Sequence, residues 1–332
     1  MTSQPDISAV VLTFNEALNI RHCLEGVRTL PEVFVVDSGS TDDTVAICRE
    51  YTDRIVEHPY RNHAEQWQWA LDHLPIKTDW ILALDADFVV SPQLLARITE
   101  EISRIPQEVA GVYVRHLYIF GGGLIRFGGT KQFWLRLIRR GRARPDSGDL
   151  VDFRFVVEGK VLRWPEAVTE YNRNDDDISV WIRKQDKFAL RLAVEEELRR
   201  RGLHGWAGVP RLFGTTDERF SWLRDRWLAL PLFLRPVLYF FYRYLLTGGF
   251  LDGRAGFLYH ALQGFWLRLV VDWKIDQLRH YKLSNADLLK SVGWMLATHS
   301  GSVEDLLETE HQGESNSTDH ASDASTKVVA KR

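Results

Sequence analysis

The chain has 332 residues and a formal net charge of −3; 45% of its residues are hydrophobic and 26% are charged. These values are ordinary for a folded protein and exclude a fully disordered chain, a collagen-like chain and a disulfide-rich toxin. The length allows two domains, or one large domain with an appendage, and two cysteines alone favour reduced thiols in a cytoplasmic protein.

The first third of the sequence alternates short apolar runs with helical patterns. The predicted strands are Ile7–Thr13, Val33–Asp37, Arg54–Glu57 and Trp80–Leu84, and the predicted helices are Ala17–Leu30, Thr41–Tyr51 and Ala64–Leu74. This alternation predicts a parallel, doubly wound α/β sheet. Such sheets bind ligands at the carboxyl ends of their strands, and four polar side chains fall there: Asn15, Asp37, Asp85 and Asp87.

The pattern changes after Gly111. The sequence here predicts two strands, Val112–Phe120 and Phe133–Ile138, and a hairpin over Phe153–Val157 and Gly159–Arg163. It also predicts a long helix over Ile178–Arg201. That helix ends in a charged run, Glu195–Glu197 followed by Arg199–Arg201, which we expect to be mostly a solvated face.

Residues 222–282 are rich in aromatic and basic side chains. Trp227–Leu246 is dense in Leu, Phe and Tyr, but Arg235, Pro236 and Arg243 argue against a spanning helix of about 20 apolar residues. Amphipathic helices at a membrane surface are one interpretation, and a helical subdomain packed on the first domain or on another subunit is the other. Residues 301–332 have no periodicity and are predicted to form a disordered tail.

Two motifs that follow predicted strands carry side chains suited to chemistry. In Asp85-Ala86-Asp87, two carboxylates past a strand end can share a hard divalent cation with a diphosphate, or simply cap a turn. In the segment that begins at Asp37, a carboxylate can accept hydrogen bonds from a base or ribose, and the following helix start favours phosphate. The alternative is that this segment is an ordinary strand–turn–helix cap without a ligand. Thr13–Glu16 would line the same crevice.

The small net charge is a cancellation between segments. Residues 1–110 contain 8 Lys and Arg against 18 Asp and Glu, residues 111–163 contain 11 against 4, and residues 220–282 contain 9 against 4. An acidic first third beside two basic stretches favours a metal or sugar site next to a surface for anions, with chance placement as the alternative. Four arginines could hold a phosphorylated acceptor or be surface charge: Arg136, Arg139, Arg140 and Arg142.

These segments together resemble inverting glycosyltransferases of family 2, which have the GT-A fold. The similarity in the first third lies in Ile7–Glu16, Val33–Thr44 and Trp80–Val90. The chain is most similar to the bacterial branch that includes lipopolysaccharide core glycosyltransferases, through Trp134–Gly141 (WLRLIRRG), Val156–Gly159 (VVEG), Gln185–Phe188 (QDKF) and Leu232–Lys274. The resemblance covers about residues 7–280.

The resemblance implies a domain organisation and an activity. Residues 1–215 would form the GT-A domain, with a nucleotide-binding half (about 1–110) and an acceptor half (about 111–215), followed by a membrane-interface region over 216–300. The enzyme would transfer a sugar with inversion from a nucleotide-sugar, expected to be UDP-linked, to a lipid-linked, lipopolysaccharide or other cell-envelope glycan at the cytoplasmic face of the inner membrane. The alternatives are a polyprenyl-phosphate glycosyltransferase and a non-catalytic nucleotide-sugar-binding protein associated with the membrane. Nucleic acid is not an expected partner.

The resemblance also implies roles for single residues in the donor half. Residues expected to contact the nucleotide are Thr13, Asn15, Glu16, Asp37, Gly39 and Asp85. Asp87 would hold Mg²⁺ or Mn²⁺ on the diphosphate. His63, Trp67 and Trp69 border this site and are expected to be core or sugar-stacking residues rather than catalysts.

The sequence departs from the family pattern at two positions. The family often has His-Glu where Asp152-Phe153 stands here, so the expected proton acceptor becomes Asp152, with Asp149 second. A further family histidine that often completes the metal shell corresponds to Asn172. Asn172 itself or Glu170 would then provide the missing oxygen ligand.

Overall fold

The computed structural model describes residues 5–129, 133–146, 153–203, 212–213, 222–223 and 225–298. Three sequence-based expectations fall outside these residues: the candidate proton acceptors Asp149 and Asp152, and the tail 301–332. Within the described part, a mixed β-sheet with helices on both faces forms the first half of the chain. Helices that pack on one another follow it.

The central sheet joins nine strands. The strands of the chain are β1 Ile7–Thr13, β2 Glu32–Asp37, β3 Ile55–Glu57, β4 Trp80–Asp85, β5 Phe88–Val90, β6 Val109–Phe120, β7 Gly123–Ile125, β8 Phe133–Arg139, β9 Ala143–Pro145, β10 Phe155–Val157 and β11 Lys160–Glu170. Their order is β3-β2-β1-β4-β8-β6-β11-β5, with β7 on β6. The first four strands run parallel, whereas β8 is antiparallel to both β4 and β6.

The predicted strands of the first third are confirmed, and the three predicted helices are present, the first two shorter than predicted and the third displaced by one residue. All seven residues of β1 are buried, as expected of a central strand with both faces covered. The helices are α1 Ile20–Glu25, α2 Thr44–Cys48, α3 His63–His73 and α4 Pro92–Glu101. The segment ahead of α2 is a turn rather than a helix because Asp42 and Thr44 side chains bind backbone amides there.

The hairpin predicted over Phe153–Val157 and Gly159–Arg163 is wrong. β10 pairs instead with β9 in a separate two-stranded ribbon. β11 begins at Lys160, runs parallel to β6 and then antiparallel to β5. Gly159 has φ near +148°, so the chain changes direction there, and the two neighbouring apolar runs join different partners.

The later part of the described chain is mainly helical and includes α5 Ile178–Arg200, α6 Leu234–Phe241, α7 Gly253–Tyr259, α8 Leu267–His280 and α9 Asn285–Thr298. Tyr242–Leu246 and His260–Trp266 are π-helical turns that extend α6 and α7. α5 packs along α8 through a separate apolar core that includes Leu190, Val194 and Val271. No helix among the described residues is long and apolar enough to cross a membrane.

The expectation that the charged run ending α5 is solvated is wrong. Glu195, Glu196 and Glu197 are at most 4% exposed. The sequence around the run does not reveal this, because some of the arginines that pair with it come from other helices. Arg235 bonds Glu196 and Arg279 bonds Glu197. Buried carboxylates require such partners.

Candidate active site

A pocket of about 460 Å³ lies at the carboxyl ends of β1 and β4, which are adjacent parallel strands. This is the edge at which α/β sheets bind ligands. Its walls carry four carboxyl groups and three basic side chains: Glu16, Asp85, Asp87, Glu170, His63, Arg136 and Lys184. The pocket therefore has the mixed charge needed to hold an anion through a cation.

The turn after β2 is held by Asp37. Its Oδ2 accepts hydrogen bonds from the amides of Gly39 (3.0 Å) and Ser40 (2.8 Å), and its Oδ1 accepts one from the Ser40 hydroxyl. Gly39 has φ +87°, a conformation that glycine adopts without strain. Asn15, at φ +52°, joins this turn because its amide donates to Ser40 Oγ (2.8 Å). The turn thus shapes the edge of the sheet at the carboxyl ends of β1 and β2.

Asp85 is held by two basic groups, one at each oxygen. His63 Nε2 lies 3.0 Å from Oδ1, and Arg136 Nη2 lies 3.5 Å from Oδ2. The Arg136 guanidinium is itself placed by the rings of Phe88 and Trp134, whose centroids lie 4.5 and 5.1 Å away. Burial opposes ionisation of Asp85, but His63 and Arg136 outweigh it and lower the pKa of this carboxyl.

Asp87 has the opposite surroundings. Among the described residues, no side chain makes a hydrogen bond or ion pair with its carboxyl group. Burial, together with the nearby carboxylates of Glu170 and Glu16, raises the pKa of Asp87 well above its usual range. Burial also raises the pKa of Glu16 to about 7, against the opposing hydrogen bond from Asn19. This side of the pocket is short of positive charge.

Residues 8–153 match the family model described as glycosyl transferase family 2. Over these residues, which make up less than half of its length, the chain is similar to glycosyl transferase family 2. The match and the mixed sheet together confirm the α/β fold of the GT-A type that the resemblance implied. The family 2 match contains β1 to β4 and the Asp85-Ala86-Asp87 motif, so the pocket lies in the matched part and extends to residues beyond it.

Two bacterial proteins similar to this chain are glycosyltransferases by name. The chain is 32% identical to the lipopolysaccharide core biosynthesis glycosyltransferase LpsC of Rhizobium meliloti (strain 1021), over 47% of this chain and 58% of that protein. It is 29% identical to the SPbeta prophage-derived glycosyltransferase SunS of Bacillus subtilis (strain 168), over 54% of this chain and 43% of that protein. The matches thus span about half the length of each of these two relatives.

One solved structure resembles this chain only distantly. Glucosyl-3-phosphoglycerate synthase from Mycobacterium tuberculosis, in complex with Mg²⁺ and uridine diphosphate, aligns with 60% of this chain and 80% of its own chain. The TM-score is 0.37 and the identity 17%, which is too low to support an inference about function.

The structure brings most of the expected site residues to one pocket. Six of them line it: Thr13, Glu16, Asp85, Asp87, Glu170 and Asn172. Asn15, Asp37 and Gly39 stand just behind the wall, joined to it through Ser38 and Ser40. The individual roles expected for these residues remain predictions.

The oxygen donors around Asp87 fit a hard divalent cation in part. In the described part of the chain, no group of three or more His, Cys, Asp or Glu side chains is arranged to hold a metal ion by itself. Asn172 Oδ1 already accepts hydrogen bonds from Asn19 Nδ2 (3.1 Å) and the Asn174 amide (3.0 Å), which uses both of its lone pairs. Glu170 commits one oxygen to His116 Nε2, at 2.9 Å. Asp87, with Glu170 as its neighbour, therefore fits the usual Mg²⁺ arrangement of one or two carboxylates plus substrate phosphates.

The four arginines of the basic stretch do not form an acceptor surface. Arg136 and Arg139 are 2% exposed. Arg136 faces Asp85 in the pocket at the carboxyl ends of β1 and β4, and Arg139 bonds Asp79 and the Val109 carbonyl. Arg140 and Arg142 bond backbone carbonyls. Arg136 and Arg139 are buried because β8 is a central strand with both faces covered, whereas Arg140 lies beyond β8 and is exposed, as the surface-charge alternative expected.

Three lining residues were missed or given other roles by the sequence reasoning. His63 and Arg136 hold Asp85, and Lys184 reaches into the pocket from α5, where its Nζ lies 3.2 Å from Asp175. Lys184 directly precedes the QDKF motif, and that neighbourhood was the available signal. Phe153, at the family's glutamate position, stacks on His63 with ring centroids 4.7 Å apart.

Proposed function

We propose that this chain is an inverting, metal-dependent glycosyltransferase. It takes a sugar from a nucleotide-sugar, with a UDP-sugar as the expected donor, and transfers it to a lipid-linked, lipopolysaccharide or other cell-envelope glycan. One observation carries the proposal. The carboxylate of Asp85 has a basic partner at each oxygen, His63 and Arg136. Asp87, two residues away in the same pocket, is buried among carboxyl groups without a partner in the described chain.

The different surroundings of the two carboxylates suit two tasks. Asp85 is fixed and ionised, so it can accept a hydrogen bond from the ribose of a donor. Asp87 and Glu170 would hold Mg²⁺ or Mn²⁺, which when bound would offset charge on the leaving diphosphate. Lys184, in the same wall, can donate to a diphosphate oxygen because its side chain is half exposed and its ammonium group, among the described residues, bonds Asp175 alone.

Proton removal from the acceptor is assigned to a carboxylate that the described residues do not include. Asp152 is the first candidate and Asp149 the second, and Phe153 next to them borders the pocket through its contact with His63. A phenylalanine cannot take a proton. This favours one second candidate, a polyprenyl-phosphate glycosyltransferase, in which a phosphate oxygen attacks and no base is needed.

Contact with a membrane surface is part of the proposal. A face of α6 and the turn after it exposes large apolar side chains at helical spacing, which we call the apolar face: Leu234, Leu238, Phe241, Leu245 and Leu246. Leu246 is 80% exposed. Apolar patches of this kind mark interaction surfaces, and an apolar helix face can lie in the membrane interface. The chain would then work at the cytoplasmic face of the inner membrane.

The helices around the apolar face are also a packed subdomain. α8 buries Leu267, Val271 and Leu278 against α5, so both interpretations of residues 222–282 describe part of the region. We therefore retain the proposed division into a GT-A domain over 1–215 and a membrane-interface region over 216–300.

The test is a donor screen with the full chain followed by a transfer assay. Thermal shifts with UDP-, GDP- and ADP-sugars, with and without Mn²⁺, identify the donor, because a ligand of the folded state raises stability. Asp87→Asn is expected to abolish transfer, whereas Asp72→Asn, an exposed aspartate on α3, should leave it unchanged. Full activity in excess chelator would contradict the metal role, and glycolipid formed from undecaprenyl phosphate alone would favour the second candidate.

A further inference from the structure

A single buried carboxylate gathers three arginines near the end of α5. Glu197 is 0% exposed and accepts hydrogen bonds from Arg200 Nε (2.9 Å), Arg201 Nε (3.0 Å) and Arg279 Nε (3.1 Å). Burial opposes ionisation of Glu197, but these three partners outweigh it and lower its pKa to about 2. The group thus holds three positive charges against one negative charge.

The surplus positive charge faces a second pocket. Arg200 and Arg279 line this pocket of about 230 Å³, and their side chains are 49% and 38% exposed. In the described part of the chain, Arg200 Nη1 and both Nη atoms of Arg279 make no hydrogen bond. Arg201 points away from the pocket, since its Nη1 donates to the Leu283 carbonyl. The two pocket arginines therefore keep N–H donors available for an anion.

The remaining wall of this pocket carries Glu196 and Arg235, which form an ion pair with each other, together with an apolar side that leads to the apolar face. Residues 228–232, of sequence LALPL, form one side of it, and Phe233 and Leu234 follow directly, both exposed. A guanidinium pair suits the oxygen geometry of a phosphate. A basic pocket that opens beside exposed apolar side chains matches a molecule with an anionic head and a hydrocarbon tail.

We propose that the arginine pocket, defined by Arg200 and Arg279 with the apolar wall 228–232, binds the phosphate of an anionic membrane lipid. This inference deepens the membrane contact of the proposed function and rests on it. Arg200 lies 16 positions after Lys184 on the same helix, which at 1.5 Å per residue is about 24 Å. α5 would therefore fix the distance between the lipid phosphate and the donor pocket, and with it the depth at which an acceptor is presented.

The test measures binding of the full chain to vesicles by co-sedimentation at constant ionic strength. One set of vesicles is pure phosphatidylcholine, and the other contains phosphatidic acid as well. Arg200→Gln with Arg279→Gln should lower the apparent affinity for the anionic vesicles about 25-fold, since each arginine near a charged surface contributes about fivefold. Binding to the zwitterionic vesicles should not change.

Arg201→Gln is the matched control, because it removes one partner of the same Glu197 without changing the pocket wall. It should behave as the unmodified chain does. The proposal is overturned if the double variant keeps the full preference for anionic vesicles, or if Arg201→Gln reduces that preference equally. If the double variant fails to fold, Arg279→Gln alone leaves two arginines on Glu197 and should still reduce anionic binding about fivefold; unchanged binding of this variant overturns the proposal.

A second pair of variants separates this inference from the membrane contact on which it rests. Leu238→Ser with Leu245→Ser changes the apolar face and should weaken binding to both kinds of vesicle. If the unmodified chain binds neither kind, the membrane contact itself fails. If it binds both kinds through the apolar face without dependence on Arg200 or Arg279, only the arginine pocket fails. Donor turnover is measured without lipid and is independent of both results.

Discussion

Binding of a divalent cation in the donor pocket should release a proton near neutral pH. The reason is Glu16, whose pKa burial raises to about 7, so that this carboxyl is largely protonated in the folded chain at pH 6. Asp87, the expected metal ligand, lies within electrostatic reach of Glu16 and also has a raised pKa. A cation beside Asp87 favours the ionised form of both groups, and metal binding and deprotonation are therefore linked.

The size of the linkage follows from the Glu16 pKa. A carboxyl with a pKa of about 7 is ionised in about 1 of 11 molecules at pH 6 and in about 10 of 11 at pH 8. If the bound state requires ionised Glu16, the apparent Kd for Mn²⁺ should fall about tenfold between pH 6 and pH 8. The raised pKa of Asp87 acts in the same direction.

The assay is calorimetric titration of Mn²⁺ in two buffers of different ionisation enthalpy, which counts released protons. Glu16→Gln should lower the number of protons released and flatten the pH dependence. Glu50→Gln, which removes an exposed carboxylate paired with Arg21, is the control and should change neither. A Kd that stays constant from pH 6 to pH 8, with no proton release, would refute the reasoning.

The same pKa has a consequence for stability without metal. The Glu16 pKa is higher in the folded state than its ordinary value of 4.5, so the folded state binds the proton more tightly than the unfolded state does. The stabilisation that results is fully present below about pH 4.5 and is lost as pH rises through about 7. Urea unfolding of the metal-free chain should show this decline, and Mn²⁺ should reduce it.

Four further predictions concern stability and are checked by urea unfolding. Asp85→Asn should lower the free energy of unfolding by at least about 1–3 kcal/mol, because a buried arginine loses its charged partner. Asp87→Asn should raise the free energy of unfolding of the metal-free chain at pH 8, because it removes one of several crowded carboxylates. Arg235→Met should cost about 3–5 kcal/mol, since two buried carboxylates lose their common partner. Gly249→Ala should lower the free energy of unfolding by about 1–3 kcal/mol, because a Cβ there would lie 2.3 Å from the buried ring of His260. A decrease below about 0.5 kcal/mol, within the usual range of surface substitutions, would contradict that packing.

The donor half of the fold could be predicted because its signals are local. Buried strands such as Ile7–Thr13 are continuous apolar runs, and each ends in the polar residues that a parallel sheet brings to one edge. Asp85 and Asp87 were placed correctly in the pocket by this reasoning alone. Their different surroundings could not be predicted, because His63 and Arg136 lie 22 and 51 positions away in the chain.

The errors arose where a local pattern is overruled by distant partners. The two apolar runs around Gly159 look like a hairpin, but β10 pairs with β9 in a separate ribbon and β11 joins the central sheet beside β6. Arg136 looks like surface charge in a basic run, but β8 lies between β4 and β6. In the first case the pairing partner and in the second the burial depend on which strands lie side by side. A strand's own sequence does not specify its neighbours.

α5 shows the physical connection between the two halves of the chain. Its N-terminal part presents Lys184 to the donor pocket, and its C-terminal part buries Glu196 and Glu197 against arginines of later segments. Unpaired, these carboxylates would make burial of the helix end unfavourable, so α5 can complete the donor pocket stably only with the C-terminal helices in place. The charged run that looked solvated is thus the reason why the region that would contact the membrane cannot be treated as a detachable anchor. Its helices supply the counter-charges of the helix that carries part of the active site.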